Sequence, residues 1–300
     1  MKLPDWTPVT FEDLACYWII VHASTHKSMS SIKRDQGILR NYLLPPFGSM
    51  SLDTITVRHV DQWFCQLKQE SRLSGKSCND VLGLFRKICN DGERWEFLEK
   101  NPVAKIKKIR LPEQDYTFWS LAQAQQYLGY WAMQPHKPRI YYCVVLALYT
   151  GMRRGEVLGL QWDSVNYEAG MITVKRTYCR VAKAFLEETK SKKIRRIPIC
   201  KALSSHLRDW YRITGSSGYV VPLFHPDHFI REFNRTALTA RVPQIQFKNL
   251  RHTFASHFLM GGGNIYDLQK ILGHSTVQMT ERYVHLIPSH LQGKTEVLGF

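Results

Sequence analysis

The side chains able to do chemistry in this chain are basic and phenolic rather than acidic. From residue 119 onward, arginine, lysine, histidine and tyrosine recur in short blocks, while the acidic residues are dispersed, with no DxD or ExxE-like cluster. Cleavage of a phosphodiester by metal-activated water wants clustered carboxylates with open coordination. A metal-free route wants cations around the phosphate, a nucleophile such as tyrosine, and an acid for the leaving oxygen. The second inventory is present, so no metal and no other cofactor is expected. A metal nuclease stays open as an alternative that EDTA-insensitive cleavage excludes.

The charge balance names the partner class. Forty-one Lys and Arg against 25 Asp and Glu leave +16 on 300 residues, which suggests a polyanion, either nucleic acid or an anionic membrane. The membrane option weakens because the longest apolar run, near Tyr141 to Tyr149, is far shorter than a spanning helix and is followed by Arg153 and Arg154. The N-terminus has no apolar signal region before its acidic residues. Seven cysteines, odd in number and without a CxxC pair, fit reduced thiols in a cytoplasmic protein. Two basic clusters, Lys105 to Arg110 and Lys190 to Arg196, read as phosphate-facing surface.

Three segments then carry a family resemblance. LYTGMRRGEVLGLQW (148–162), TKSKKIRRIPI (189–199) and LRHTFASHFLMGGGNIYDLQKILGHSTVQMTERYVH (250–285) resemble, in this order and at these separations, the boxes of the tyrosine recombinases, the phage integrase and Xer group. The resemblance implies a first arginine at Arg153 (TGMR), a second at Arg251 (LRH), a histidine at His274 (LGH), and the nucleophile at Tyr283, nine residues beyond it. It implies the hairpin lysine at Lys190, eight residues before Pro198, and an acidic residue that orients the active-site cations at Glu156. Where the family reads His-x-x-Arg, this chain reads Lys248-Asn249-Leu250-Arg251. Lysine keeps a charge directed at phosphate but does not shuttle a proton near neutral pH, so Lys248 is expected to be an electrostatic contact. His252 and His257 read as packed or surface histidines.

The activity so implied is site-specific DNA strand exchange through a 3′-phosphotyrosine, on double-stranded core sites, by a homotetramer joined through the apolar C-terminal tail from Leu286 to Phe300. Accessory DNA-bending proteins are optional further partners. Two alternatives share the residues: a type IB topoisomerase relaxing supercoils as a monomer, and a DNA-binding relative whose site has decayed at Lys248.

These residues need a scaffold, and the hydrophobic periodicity supplies one. Thr10 with Asp13 forms a capping box ahead of Leu14, Trp18 and Val21. Further amphipathic stretches run through Ile32, Leu39 and Leu43, ended by Pro45-Pro46 and Gly48; through Val57 to Leu67; and through Val81 to Ile88. The expected fold is mainly α (α+β). A four-helix core-binding domain spans 1–102, a linker 103–118, and a helical catalytic domain with a small antiparallel three-stranded sheet 119–300. Strand-like runs are Met171 to Lys175, Lys183 to Glu187 and Ile194 to Ile199. With the first helix starting near residue 10, no room is expected ahead of it for an additional arm-site-binding domain. Charge and helix position nominate Lys33, Arg34, Lys76, Arg86 and Lys87 as DNA-backbone contacts.

Overall fold

The computed structural model describes residues 6–112, 117–179, 181–187, 194–214, 218–221 and 226–284. The chain forms two compact units, Met1–Gln114 and Asp115–Phe300. No helix among the described residues is long and apolar enough to cross a membrane.

The first unit is built from four helical segments. Thr10 Oγ1 accepts from the Asp13 amide at 3.2 Å and the Asp13 carboxylate accepts from the Thr10 amide at 2.9 Å, closing the expected capping box. The helix Phe11–Trp18 buries Phe11, Leu14 and Trp18 and continues through a π-helical turn, Ile19–Ala23, to Ser24–His26. The second segment, Met29–Ile38, likewise passes through a π turn, Leu39–Leu43, into Leu44–Phe47. It runs through Pro45-Pro46 and ends at Phe47, with Gly48 as its C-cap, at the end expected from the sequence. A proline lacks the N–H and crowds the carbonyl four residues back, and the widened turn shifts the hydrogen-bond register directly ahead of the pair.

Helices Val57–Glu70 and Gly75–Arg94, capped by Thr56 and Ser74, complete the core, where Phe11, Phe47, Trp63 and Phe85 meet mostly edge to face. Residues 103–109 lie on this core. Val103 and Ile106 are buried in it, and Asn79 exchanges two 2.8 Å hydrogen bonds with the Ile109 backbone.

The second unit centres on the helix Arg139–Thr150, eight of whose twelve residues are buried. It packs against Asn249–Met260, which follows Lys201–Thr214 and Pro226–Thr239 and precedes Ile265–Leu272 and the short Gln278–Glu281. The expected three-stranded antiparallel sheet exists, but with one different member. Its strands are β1 (Val165–Asn166), β2 (Met171–Val174) and, after β3 (Thr177–Cys179) and β4 (Ala184–Leu186), β5 (Arg195–Pro198), in the order β1-β2-β5. The run 183–187 pairs instead with β3 in a separate two-stranded ribbon. In β5 the side chains alternate, so Arg195 and Ile197 face inward with Ile172 and Val174 of β2 while Arg196 and Pro198 face out. That parity matters for the site.

Candidate active site

The first box folds as a helix end, a turn and a new helix start. Gly151 closes Arg139–Thr150 in the left-handed conformation (φ 63°). A Cβ there would stand 2.6–2.7 Å from Phe254 and Leu272, so only glycine fits. Arg153 then caps the helix Arg154–Gly159. Its backbone N–H donates to Glu156 Oε2 at 2.7 Å, and its guanidinium donates to Glu156 Oε1 at 3.0 Å. Glu156, 1 % exposed, also receives Arg195 through Nη1 at 3.0 Å and Nη2 at 2.6 Å. Burial alone would raise the Glu156 carboxyl. The hydrogen bonds and charge of Arg195, then Arg153, outweigh it and hold the group at about 2.

Arg251 ties the boxes together. One guanidinium nitrogen donates to the Gly151 carbonyl at 2.8 Å and the other to the Leu272 carbonyl at 2.7 Å. Burial and then the neighbouring Arg153 charge lower it to about 9, with Glu156 working in the opposite direction, so it remains a cation at neutral pH. Arg195 Nε reaches the adjacent Ile271 carbonyl at 2.8 Å. Gly273, left-handed at φ 67°, ends the helix Ile265–Leu272, and a Cβ on it would meet Arg195 Cδ at 2.8 Å. His274 follows directly, its Nδ1 2.7 Å from the buried Thr280 hydroxyl. Burial, then Arg251 and Arg153, press its imidazole down to about 3, leaving it neutral. Arg153, Arg195, Gly273 and His274 line one open groove of about 940 Å³.

Tyr283 is 2 % exposed and packs with Ala255, Leu259, Leu268 and Leu272. Its hydroxyl lies 2.6 Å from His252 Nδ1. Tyr283 and Arg251 are close enough to interact electrostatically. Arg153, Glu156, Arg251, His274 and Tyr283 are thus brought into one neighbourhood from segments far apart in sequence.

Other nominated residues sit differently. Lys248 is exposed at the start of Asn249–Met260, near enough to lower His252 electrostatically. Lys190 lies outside the described residues, as does the tail from Leu286 to Phe300. In the first unit Lys33, Lys76 and Lys87 are exposed. Arg34 is exposed but pairs with buried Asp35 at 3.2 Å. Arg86 is half-buried, donating to the carbonyls of Val103, at 3.2 Å, and Ile106.

Two residues of the cluster escape a reading by sequence. Arg195 reads there as part of a phosphate-facing basic run, but its inward strand parity buries it against Glu156. His252 reads as a packing histidine, and no local signal ties it to a tyrosine 31 residues on. Among the described residues no group of three or more His, Cys, Asp or Glu converges as a metal site would require.

Residues 118–290 match the phage integrase family, and residues 10–67 match the phage integrase N-terminal SAM-like domain. The integrase of Escherichia phage 186 is 28 % identical over 292 residues, covering 94 % of this chain and 79 % of that protein. The integrase of Haemophilus phage HP1 is 42 % identical over 137 residues, covering 45 % of this chain and 36 % of that one. Among solved structures, the Tn1549 transposon integrase in complex with a circular intermediate DNA shares the fold at a TM-score of 0.77, with 19 % identity and coverage of 92 % and 95 % of the two chains. A lambda integrase dimer bound to a COC′ core site does so at 0.71, with 15 % identity and coverage of 92 % and 77 %.

Proposed function

The chain belongs to the phage integrase family of site-specific tyrosine recombinases, and on that premise we propose that it exchanges DNA strands through a covalent 3′-phosphotyrosine on Tyr283, as a tetramer holding two duplexes. The Tyr283 oxygen attacks the scissile phosphorus. One P–O bond forms to the phenol as the bond to the 5′-oxygen breaks. A phenol with a pKa near about 10 is a poor nucleophile, so charge compensation decides the rate. Arg153 and Arg251 supply forked donors to the non-bridging oxygens, which gain charge in the pentavalent transition state. His274 and Lys248 add donors to the same phosphate. Lys190 gives the departing 5′-oxygen its proton. The phosphotyrosine conserves the bond energy, so a 5′-hydroxyl from the partner strand reverses the step without ATP.

One observation carries this reading: Arg251 hydrogen-bonds at once to Gly151 of the first box and Leu272 beside His274, in electrostatic reach of Arg153 and Tyr283. The basic surplus of the chain then serves to hold the duplex, mostly by its phosphates. The DNA-bound states of the related integrases support DNA as the partner.

Suicide DNA substrates, from which the freed 5′ end diffuses away, test the chemistry. Wild-type protein is expected to accumulate a covalent DNA adduct that Tyr283→Phe abolishes. Absence of an adduct with DNA binding intact would return the chain to a binding role.

A further inference from the structure

We infer that His252 takes the phenolic proton from Tyr283 as its oxygen attacks, the proton-transfer post that Lys248 cannot fill. The inference rests on the phosphotyrosine reading above. Its ground is geometric: His252 Nδ1 and the Tyr283 hydroxyl are 2.6 Å apart, within the range a proton acceptor needs.

Both partners are held. His252 lies on Asn249–Met260, which is fastened just beyond it: the Thr253 hydroxyl accepts from the Trp119 amide at 3.1 Å, and His257 Nε2 meets the Trp119 carbonyl at 2.8 Å. Tyr283 is fixed by its buried ring and by its amide donating to the Thr280 carbonyl at 3.0 Å, while Thr280 itself is held by His274. Consecutive residues on a helix point about 100° apart, so Arg251 addresses the two carbonyls while its neighbour addresses the nucleophile.

The protonation logic agrees. Burial first, then the charges of Arg282, Arg251 and Lys248, lower His252 to about 4. The ring is therefore neutral at neutral pH, and in the tautomer that carries its proton on Nε2 it offers Nδ1 as the acceptor for the Tyr283 hydroxyl. A phosphodiester arriving among the same cations cancels part of their field, and this raises the proton affinity of His252 when the substrate is seated. The proton leaving Tyr283 converts His252 to imidazolium beside a phosphorane of growing negative charge. When a 5′-hydroxyl later displaces the tyrosine, the same proton returns to the phenolate. An ammonium such as that of Lys248 has no lone pair to offer.

The test is single-turnover adduct formation with His252→Asn, whose side-chain oxygen still accepts a hydrogen bond near the Nδ1 position but does not take a proton. Substrates carry oxygen or sulfur at the 5′-bridging position, because a thiolate leaves without an acid. We expect His252→Asn to slow adduct formation on the order of 10²–10⁴-fold with both substrates, and its residual rate to climb with pH towards tyrosine ionisation. Lys190→Ala should be slow with oxygen and recover with sulfur. Melting temperature and DNA affinity identify a folded variant, with His252→Gln as the second choice. A folded variant that reacts at the wild-type rate, or that sulfur rescues as it rescues Lys190→Ala, overturns the assignment to His252 alone. A wild-type protein that forms no adduct overturns the phosphotyrosine reading with it.

Discussion

Glu156 and Arg195 face each other through two hydrogen bonds of 3.0 and 2.6 Å, with side chains 1 % and 6 % exposed. This buried pair joins the first box to strand β5, and the same carboxylate orients Arg153. A planar fork on a carboxylate fixes direction as well as charge, so Glu156 sets the position of Arg153, the arginine proposed above to meet the scissile phosphate.

Removing one partner should be expensive. Glu156→Gln leaves Arg195 buried without its counter-charge, and a loss of about 3–5 kcal/mol is expected in a denaturant titration. The wild-type pair should also be sensitive to acid. Because the folded carboxyl is held at about 2 against an ordinary 4.5, its contribution is complete above pH 4.5 and disappears as pH falls through 2. The total is about 3 kcal/mol. Stability measured across that window should fall in the wild type and show a shallower slope in Glu156→Gln.

Gly273→Ala tests the junction between the helix end and Arg195. The left-handed backbone alone costs a Cβ-bearing residue about 1–2 kcal/mol. The added carbon would meet Arg195 Cδ at 2.8 Å, and Arg195 has little freedom to retreat while Glu156 and Ile271 hold it. We expect a lower melting temperature together with slower adduct formation, since His274 is the next residue.

Arg251→Lys preserves charge and removes the fork. A single ammonium does not reproduce donors to Gly151 and Leu272 while presenting further in-plane N–H donors to the phosphate. Single-turnover cleavage should drop on the order of 10²–10³-fold, with DNA affinity little changed. A rate equal to wild type would show that charge alone suffices at this position.

In the first unit, Arg86 should behave unlike the lysines near it. Arg86→Ala strands the carbonyls of Val103 and Ile106 and is expected to cost about 1–3 kcal/mol in thermal or chemical unfolding. Lys33→Glu, Lys76→Glu and Lys87→Glu should leave the melting temperature unchanged. Each is expected to lower the salt slope of DNA binding by about 0.9, the value for one phosphate no longer neutralised, measured by affinity titrations at several ionic strengths.

Much of this was legible in the chain itself. Thr10 and Asp13 announced the first helix, because a capping box is a contact within four residues. Local periodicity outlined the four helical segments of the first unit and the largely helical second one. The blocks around Arg153, Arg251, His274 and Tyr283 nominated a site through their resemblance to the boxes of the tyrosine recombinases. The π turn ahead of Pro45-Pro46 was not legible, since it answers to packing around Leu39 and Leu43 as much as to the prolines.

Only the tertiary structure decided the fates of Arg195 and His252. The direction in which Arg195 points depends on the register of β5 against β2, a pairing between segments about twenty residues apart, and a shift of one residue would have turned it to solvent. His252 meets Tyr283 only after Asn249–Met260 and the turn bearing the tyrosine have packed together. Spacing along a chain encodes contacts made within one helix or turn. The neutralisation of a buried arginine and the seating of Tyr283 against His252 are contacts between elements, and they exist only when those elements are assembled.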